Sequence, residues 1–275
     1  MNTFCLKMLK KDIKKTMDKL KIALIQSDLV WENPVQNRLN FTKKIESVNQ
    51  SVDIIILPEM FTTGFTMNAA EFAETMEGET VHWMQSIALK NNTAIVGSII
   101  ISEANHFFNR LLFVQPDGSI ATYDKRHTFT LAGEDKVYQA GSKRLIVDYK
   151  GWKICPLVCY DLRFPVWARN TENYDLLLYV ANWPKPRITA WDALLKARAI
   201  ENMSYCIGVN RVGLDASNYE YSGSSAVYNV LGEKISKIPI GKEHIAVLTL
   251  EKKHIKKYRE KLQFLKDQDG FNLKV

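Results

Sequence analysis

An α/β fold is what the sequence predicts, on three observations. Short apolar runs alternate with amphipathic segments along the whole chain. The run Val52-Asp53-Ile54-Ile55-Ile56-Leu57-Pro58-Glu59 is almost continuously apolar, as a strand buried on both faces must be. No internal repeat, low-complexity tract or Gly/Ser/Pro-rich linker breaks the alternation, so a single domain is expected over 17–275. With 275 residues and 46% hydrophobic composition, the chain can fill a substantial core. Periodicity by itself leaves a doubly wound single sheet open among the α/β layouts.

The elements follow in order. Residues 21–26 read as a strand, 35–50 as a helix and 52–59 as the second strand. A helix fits 78–91, with Gly78 before it and Asn91-Asn92 as its stop. Apolar runs at 93–101, 110–115 and 119–124 predict strands, the last two closing a hairpin about Pro116-Asp117-Gly118. The run ending at Val158 predicts a buried strand, followed by a helix near 165–173 and a strand over 176–181. A long helix is expected over about 188–203, and strands over 205–211, 224–230 and 244–250 close the series, with a turn at 229–232.

Composition narrows the class. No apolar stretch is long enough to span a membrane. Cys5, Cys155, Cys159 and Cys206 neither build a disulfide framework nor form a Cys-x-x-Cys metal pair, which fits a reducing cytoplasm. The net charge of +7 sits at the ends, with lysines crowding 7–21 and 252–261 and near-balance between them. Terminal lysine runs of this kind read as solvated faces or tails, and no nucleic-acid motif accompanies them. The first residues lack the apolar centre and cleavage site of a signal peptide. Because Met17 immediately precedes the first convincing strand, residues 1–16 are expected to be an extension outside the native core.

Chemistry concentrates where strands stop. In Ile154-Cys155-Pro156-Leu157-Val158-Cys159-Tyr160-Asp161-Leu162-Arg163-Phe164-Pro165, an apolar strand gives way at Cys159 to a charged, aromatic stretch with helical spacing. A thiol at such a turn meets the free N–H groups of the helix start, which favour thiolate and can cradle an oxyanion. A buried structural cysteine is the other reading of the same residue. Glu59, in Leu57-Pro58-Glu59-Met60-Phe61, and Lys125, in Tyr123-Asp124-Lys125-Arg126-His127, also stand at strand ends. Each alone reads as an ordinary surface charge. Sites of open α/β sheets form outside the carboxyl ends of strands, so the three can converge.

Together these motifs resemble the nitrilase superfamily of carbon-nitrogen hydrolases, over nearly the whole chain from about Leu20 to Leu250. Glu59 stands in the family's Pro-Glu context, Lys125 in Tyr-x-Lys-x-His and Cys159 in Cys-Tyr-Asp-x-Arg-Phe-Pro. Ala181-Asn182-Trp183-Pro184 and Ala197-Arg198-Ala199-Ile200-Glu201-Asn202 are similar as well. Pro58-Glu59-Met60-Phe61-Thr62-Thr63-Gly64-Phe65 and Tyr179-Val180-Ala181-Asn182-Trp183-Pro184-Lys185-Pro186-Arg187 resemble its bacterial omega-amidase branch most. The resemblance implies a four-layer α-β-β-α sandwich, two mixed sheets packed together with helices outside, commonly paired as a homodimer. Phe164-Pro165-Val166-Trp167 and the helix around Trp191 are the candidate interface, and a core role for the tryptophans is the alternative.

The activity the resemblance implies is hydrolysis of the terminal amide of small 2-oxo-dicarboxylic acid monoamides, 2-oxoglutaramate to 2-oxoglutarate and ammonia. No metal or organic cofactor is implied. Amide hydrolysis needs a nucleophile, a proton carrier and a stabiliser for the oxyanion. In a Glu-Lys-Cys triad, Cys159 would form a thioester, with Glu59 the base first for the thiol and then for water. Lys125 and the Tyr160 N–H would hold the oxyanion. Glu134, in Leu131-Ala132-Gly133-Glu134, matches the family's second glutamate and would orient Lys125 or help to position substrate and water; a solvated loop acid is the alternative. Phe61, Phe65, Tyr160 and Trp183 are expected pocket walls, and Arg187 is the expected clamp for the substrate carboxylate, unless it is a surface arginine.

Arg163 is expected to pair with a nearby carboxylate, Arg198 and Glu201 to make scaffold contacts, and Cys155 and Cys206 to pack in the core. Among the histidines only His127 lies near a site element, in a supporting role at most, and no papain-like or caspase-like signature favours a Cys-His protease. Two other readings stand beside the omega-amidase. One is an N-carbamoyl-amine or aliphatic amidase of the same superfamily. The other is a non-catalytic protein binding nucleic acid through its basic ends, against which the complete triad argues.

Overall fold

The computed structural model describes residues 18–275, so the expected extension over 1–16 lies outside the described residues. Strands β1 (Lys19–Gln26), β2 (Ile54–Ile56) and β3 (Ala94–Glu103) run parallel, connected through helices α1 (Pro34–Glu46) and α2 (Glu79–Asn91). β4 (His106–Val114) and β5 (Ile120–Asp124) continue the sheet antiparallel. The second sheet begins with β6 (Val147–Tyr149) and β7 (Trp152–Val158), followed by β8 (Leu176–Ala181), helix α3 (Ile188–Asn202) and β9 (Tyr205–Asn210). Here β7, β8 and β9 are parallel, while β6 and the later β12 are antiparallel edges. A separate hairpin pairs β10 (Val212–Leu214) with β11 (Glu220–Ser222), and then come β12 (Ala226–Tyr228), β13 (His244–Glu251) and helix α4 (Lys252–Leu262). The two sheets have the orders β13-β1-β2-β3-β4-β5 and β12-β9-β8-β7-β6.

Strand alternation explains the layering. Leu20, Ile22 and Leu24 of β1 point into the core shared by the two sheets, whereas Ala23 and Ile25 pack under Phe41 and Ile45 of α1 and Met84 and Ala88 of α2. Both faces are therefore apolar. Between the sheets, the rings of Phe113 on β4 and Tyr149 on β6 meet edge to face at 5.5 Å. On the far side of the second sheet, Trp191, Leu195 and Ala199 bury the inner face of α3. The result is the four-layer α-β-β-α sandwich that the resemblance implies, rather than a single doubly wound sheet.

Several elements differ from expectation for local reasons. β2 stops early: Leu57 still donates to the Val96 carbonyl at 2.8 Å, but Pro58 has no N–H and Met60 turns the chain with φ of 41°. The helix near 165–173 is only the turn Pro165–Ala168, because the Asn170 side chain bonds both the N–H and the carbonyl of Tyr174 and folds the rest into a loop. β6 was not expected. Its turn to β7 has Lys150 and Gly151 both at positive φ, the backbone of a tight hairpin without the usual Asn-Gly signal.

The C-terminal basic run is a helix with one docked face rather than a free tail. Ile255 is buried, Lys252 pairs with Asp175 at 2.8 Å, and Arg259 donates to the Met203 carbonyl at 2.8 Å. Lys253, Lys256 and Lys257 form its solvated face. Trp167 and Trp191 are core residues: the Trp167 indole N–H reaches the Tyr123 hydroxyl and that of Trp191 the Ser224 carbonyl. This leaves Pro165 and Val166 as the exposed part of the candidate interface. Cys155 and Cys206 are fully buried, and burial pushes the Cys155 thiol up to about 12. No helix among the described residues is long and apolar enough to cross a membrane.

The contact of α3 with β9 depends on a missing side chain. A Cβ on Gly208 would lie 2.5 Å from both Leu195 and Trp191. Gly208→Ala is expected to destabilise the protein by about 1–3 kcal/mol through overpacking. A urea midpoint equal to the parent's would show that the helix yields instead.

Candidate active site

The catalytic candidates meet at the carboxyl ends of the strands. Glu59 sits in the loop after β2, held against β3 because Met60 N–H donates to Ser98 Oγ at 2.9 Å and Phe61 N–H to the Ser98 carbonyl at 3.2 Å. Lys125 directly follows β5, its N–H bonded to the Asn109 carbonyl on β4 at 3.0 Å. Glu134 opens a short helical turn that brings its carboxylate back onto the Phe129 N–H at 2.5 Å. Lys125 Nζ then lies 3.0 Å from Glu59 Oε1 and 2.9 and 2.8 Å from the two oxygens of Glu134. All three side chains are buried.

Cys159 begins a single 3-10 turn, Cys159–Arg163, immediately after β7. Its φ of 43° is a strained value for a residue with a Cβ, as at nucleophile turns where a side chain must be aimed sharply out of a sheet. Asp161 secures the turn from within. One of its oxygens accepts from the Val158 N–H and the Tyr123 hydroxyl, the other from the N–H of His127, whose ring Nδ1 lies 2.8 Å away. His127 is thus committed to Asp161 and stacks on Phe164 at 3.7 Å, in a supporting position. Arg198 ties α3 to the same turn, donating to the Leu162 carbonyl at 2.6 Å while paired with Glu201.

A cavity of about 330 Å³ opens above this group. Cys159, Lys125, Phe65, Tyr160, Trp183 and Arg187 all line it. Phe61 does not. Its ring points to the other side of the sheet, 5.4 Å from Phe41 and 5.7 Å from Trp83, because the turn at Met60 puts Phe61 under the helices and Phe65 toward the cavity. Arg163 also departs from expectation: it lines the cavity with its guanidinium 4.9 Å over the Trp183 ring, and no carboxylate pairs with it among the described residues. Arg187 lies over Phe129 at 5.0 Å, with its carbonyl held by the Trp183 indole at 2.8 Å.

The sequence profile of the carbon-nitrogen hydrolases matches residues 21–260. The chain belongs to the carbon-nitrogen hydrolase family. The hydrolase is 46% identical over 257 residues to the omega-amidase YafV of Yersinia enterocolitica, covering 94% of this chain and 100% of that one. It is 32% identical over 220 residues to a 2-oxoglutaramate amidase of Bacillus subtilis, covering 78% and 85% of the two chains. XC1258 from Xanthomonas campestris, a CN-hydrolase superfamily protein solved with an arsenic adduct in its active site, superposes with a TM-score of 0.91 at 41% identity. That alignment covers 93% of the hydrolase and 99% of XC1258.

Electrostatics in the hydrolase favour a neutral thiol at rest. Burial first, and then the adjacent Glu59 charge, push Cys159 well above the ordinary thiol range, while Lys125 pulls less strongly the other way. This reverses the expectation of a helix-stabilised thiolate. One 3-10 turn supplies too little dipole to offset desolvation beside a carboxylate. Burial also opposes the Lys125 ammonium, but Glu134 and then Glu59 outweigh it and hold the group above the usual lysine value. Glu134 is raised by burial against the pull of Lys125.

Sequence reading passed over several site residues. Asn109 donates through Nδ2 to Glu59 at 2.8 Å and Glu134 at 3.3 Å, and the Asn182 backbone N–H donates to Glu59 Oε2 at 2.8 Å. Trp31 and Tyr219 and Tyr221 of the β10–β11 hairpin complete the cavity wall. Asn182 stood inside a recognised motif. The Asp215–Asn218 turn signal marks a hairpin, but nothing local says what it covers.

If the resting thiol is neutral, the Cys159 thiolate absorbance, read as the difference between parent and Cys159→Ser, should appear only above the ordinary thiol value of about 8.5. A difference signal titrating at neutral pH would contradict this.

Proposed function

We propose that this hydrolase is an omega-amidase that releases ammonia from the terminal amide of small 2-oxo-dicarboxylic acid monoamides such as 2-oxoglutaramate. One observation carries the reading: a thiol, a buried carboxylate and a fixed ammonium meet at the floor of a cavity whose wall bears two guanidiniums, Arg163 and Arg187. Near-full-length similarity to an omega-amidase supports it. A space of about 330 Å³ is also a suitable size, at roughly 30 Å³ per water-sized group, for a five-carbon keto-acid amide.

In this mechanism Glu59 takes the thiol proton as Cys159 Sγ bonds to the amide carbon. The oxyanion that forms faces the Lys125 charge and the Tyr160 N–H, which lies in the first turn of the 3-10 element and has no partner within it. Glu59 passes the proton to the amide nitrogen, the C–N bond breaks, and ammonia leaves a thioester. Water then adds to the thioester, giving its proton to Glu59, and the C–S bond breaks. The proton returns to the cysteine sulfur and the acid product departs. Glu134 keeps Lys125 oriented through both halves. The substrate carboxylate is held by Arg187 with Arg163, against walls formed by Phe65, Tyr160 and Trp183.

The enzyme acts as a homodimer through the face carrying Pro165 and Val166, which light scattering of the parent and a Val166→Glu variant tests. It works in the cytoplasm, where a thiol nucleophile stays reduced. Its C-terminal basic helix turns Lys253, Lys256 and Lys257 to solvent rather than forming a nucleic-acid site.

Ammonia release from 2-oxoglutaramate, compared with a neutral aliphatic amide and a ureido compound, tests the substrate class. Preference for either alternative would overturn it. Cys159→Ala is expected to abolish turnover and Glu59→Gln nearly so, and substantial activity in either purified variant would remove the mechanism. Arg187→Ala should raise KM for the keto-acid amide about tenfold or more, as loss of a charge-assisted bond does, while sparing small neutral amides. An unchanged KM would take Arg187 out of the site.

A further inference from the structure

We propose that Asn109 is a positioning residue that occupies one oxygen of Glu59, so that the other oxygen, Oε2, is the atom that exchanges the proton with Cys159. The inference rests on Glu59 being the base. A carboxylate offers about four lone-pair positions, two on each oxygen. Glu59 Oε1 accepts from Lys125 Nζ at 3.0 Å and from Asn109 Nδ2 at 2.8 Å, which fills it. Among the described residues, Oε2 accepts only the Asn182 N–H, at 2.8 Å. One position on Oε2 remains. The residue supplying that N–H also accepts from the Cys159 thiol through its carbonyl, at 3.9 Å, so the residue that holds Oε2 is the one the thiol lies against.

Lys125 does not hold the carboxylate in this way unaided. An ammonium has three N–H groups, and its short contacts are two to Glu134 and one to Glu59. Asn109 supplies the second donor to Oε1, and the same amide nitrogen reaches Glu134 at 3.3 Å, bridging two buried carboxylates that share one cation. The chemistry settles the amide's orientation, because the reverse placement would set its carbonyl oxygen against two negative charges. That oxygen, Asn109 Oδ1, is left buried without a partner among the described residues, a cost accepted for the placement of the NH₂ group. The backbone of Asn109 adds a further link, since its carbonyl accepts the Lys125 N–H.

Asn109→Leu keeps the bulk and removes the donor. Loss of a donor to a buried carboxylate favours its protonated form, so a base that must be ionised becomes available only at higher pH. The acid limb of kcat/KM for 2-oxoglutaramate should move up by about one pH unit or more, with KM changed less than kcat. The rate of Cys159 alkylation by iodoacetamide should show the same displaced limb with no substrate present. If Asn109→Leu does not fold, Asn109→Ser, which retains a donor for only one carboxylate, is expected to show a smaller displacement in the same direction. An acid limb that coincides with the parent's, at whatever rate, overturns the proposal. Glu59→Gln separates the two layers: if that variant keeps the parent's alkylation profile, the base assignment itself fails, whereas loss of the limb leaves Asn109 as the question tested.

Discussion

Burial of the Lys125 ammonium between two carboxylates is the constraint around which the rest of this structure is arranged. Taking an ion out of water costs several kcal/mol unless its partners are in place, and a buried pair that loses one partner is destabilised by about 3–5 kcal/mol. Lys125 is 1% exposed, and Glu59 and Glu134 are fully buried. The ion and its two partners come from three separate segments: Lys125 from the end of β5, Glu59 from the loop after β2 and Glu134 from the helical turn at Glu134–Lys136. Correct assembly of the first sheet and the loops at its carboxyl edge is therefore a condition for burying the charge at all. Two negative charges against one positive still leave an excess, and neutral donors from Asn109, Asn182 and Phe129 spread it.

Burial, and then this excess, hold the Cys159 thiol above its ordinary range. Cys159 projects from the second sheet toward a cluster assembled by the first, so the packing of sheet on sheet brings thiol and carboxylate together. Surroundings that are dry and net negative favour a protonated sulfur. A thiol held in this state fits the proposed mechanism, in which a glutamate takes the proton during attack, and the structure gives histidine another task. His127 shows that task. It bonds Asp161, the residue that fastens the strained turn at Cys159 to β7 and to Tyr123.

Legibility in the sequence varied with the range of the interaction responsible. Most strands and long helices were readable, because two buried faces impose continuous apolar runs and helices need repeating apolar positions. Glu59, Lys125 and Cys159 were readable too, since each sits in a short motif beside a strand end. The failures have a common cause. Phe61 and Phe65 are both aromatic and close in sequence, and the backbone turn at Met60, rather than their chemistry, sends one under the helices and the other to the cavity. Arg163 seemed due a carboxylate partner, but the fold offers it the face of Trp183 instead. Residues 165–173 failed as a helix because a single side chain, Asn170, captured the backbone of Tyr174.

By itself the sequence determined the layer-forming strands, the order of the reactive residues and their family motifs, because periodicity and local turn chemistry are written in neighbouring positions. Only the tertiary structure decided which oxygen of Glu59 carries two donors, that burial beside a carboxylate raises the Cys159 thiol, and which aromatic and cationic side chains wall the cavity. Those outcomes depend on desolvation and on distances of a few ångströms between segments far apart in the chain. No local pattern encodes them; they exist only once two sheets have closed on a shared core and excluded water from the ends of their strands.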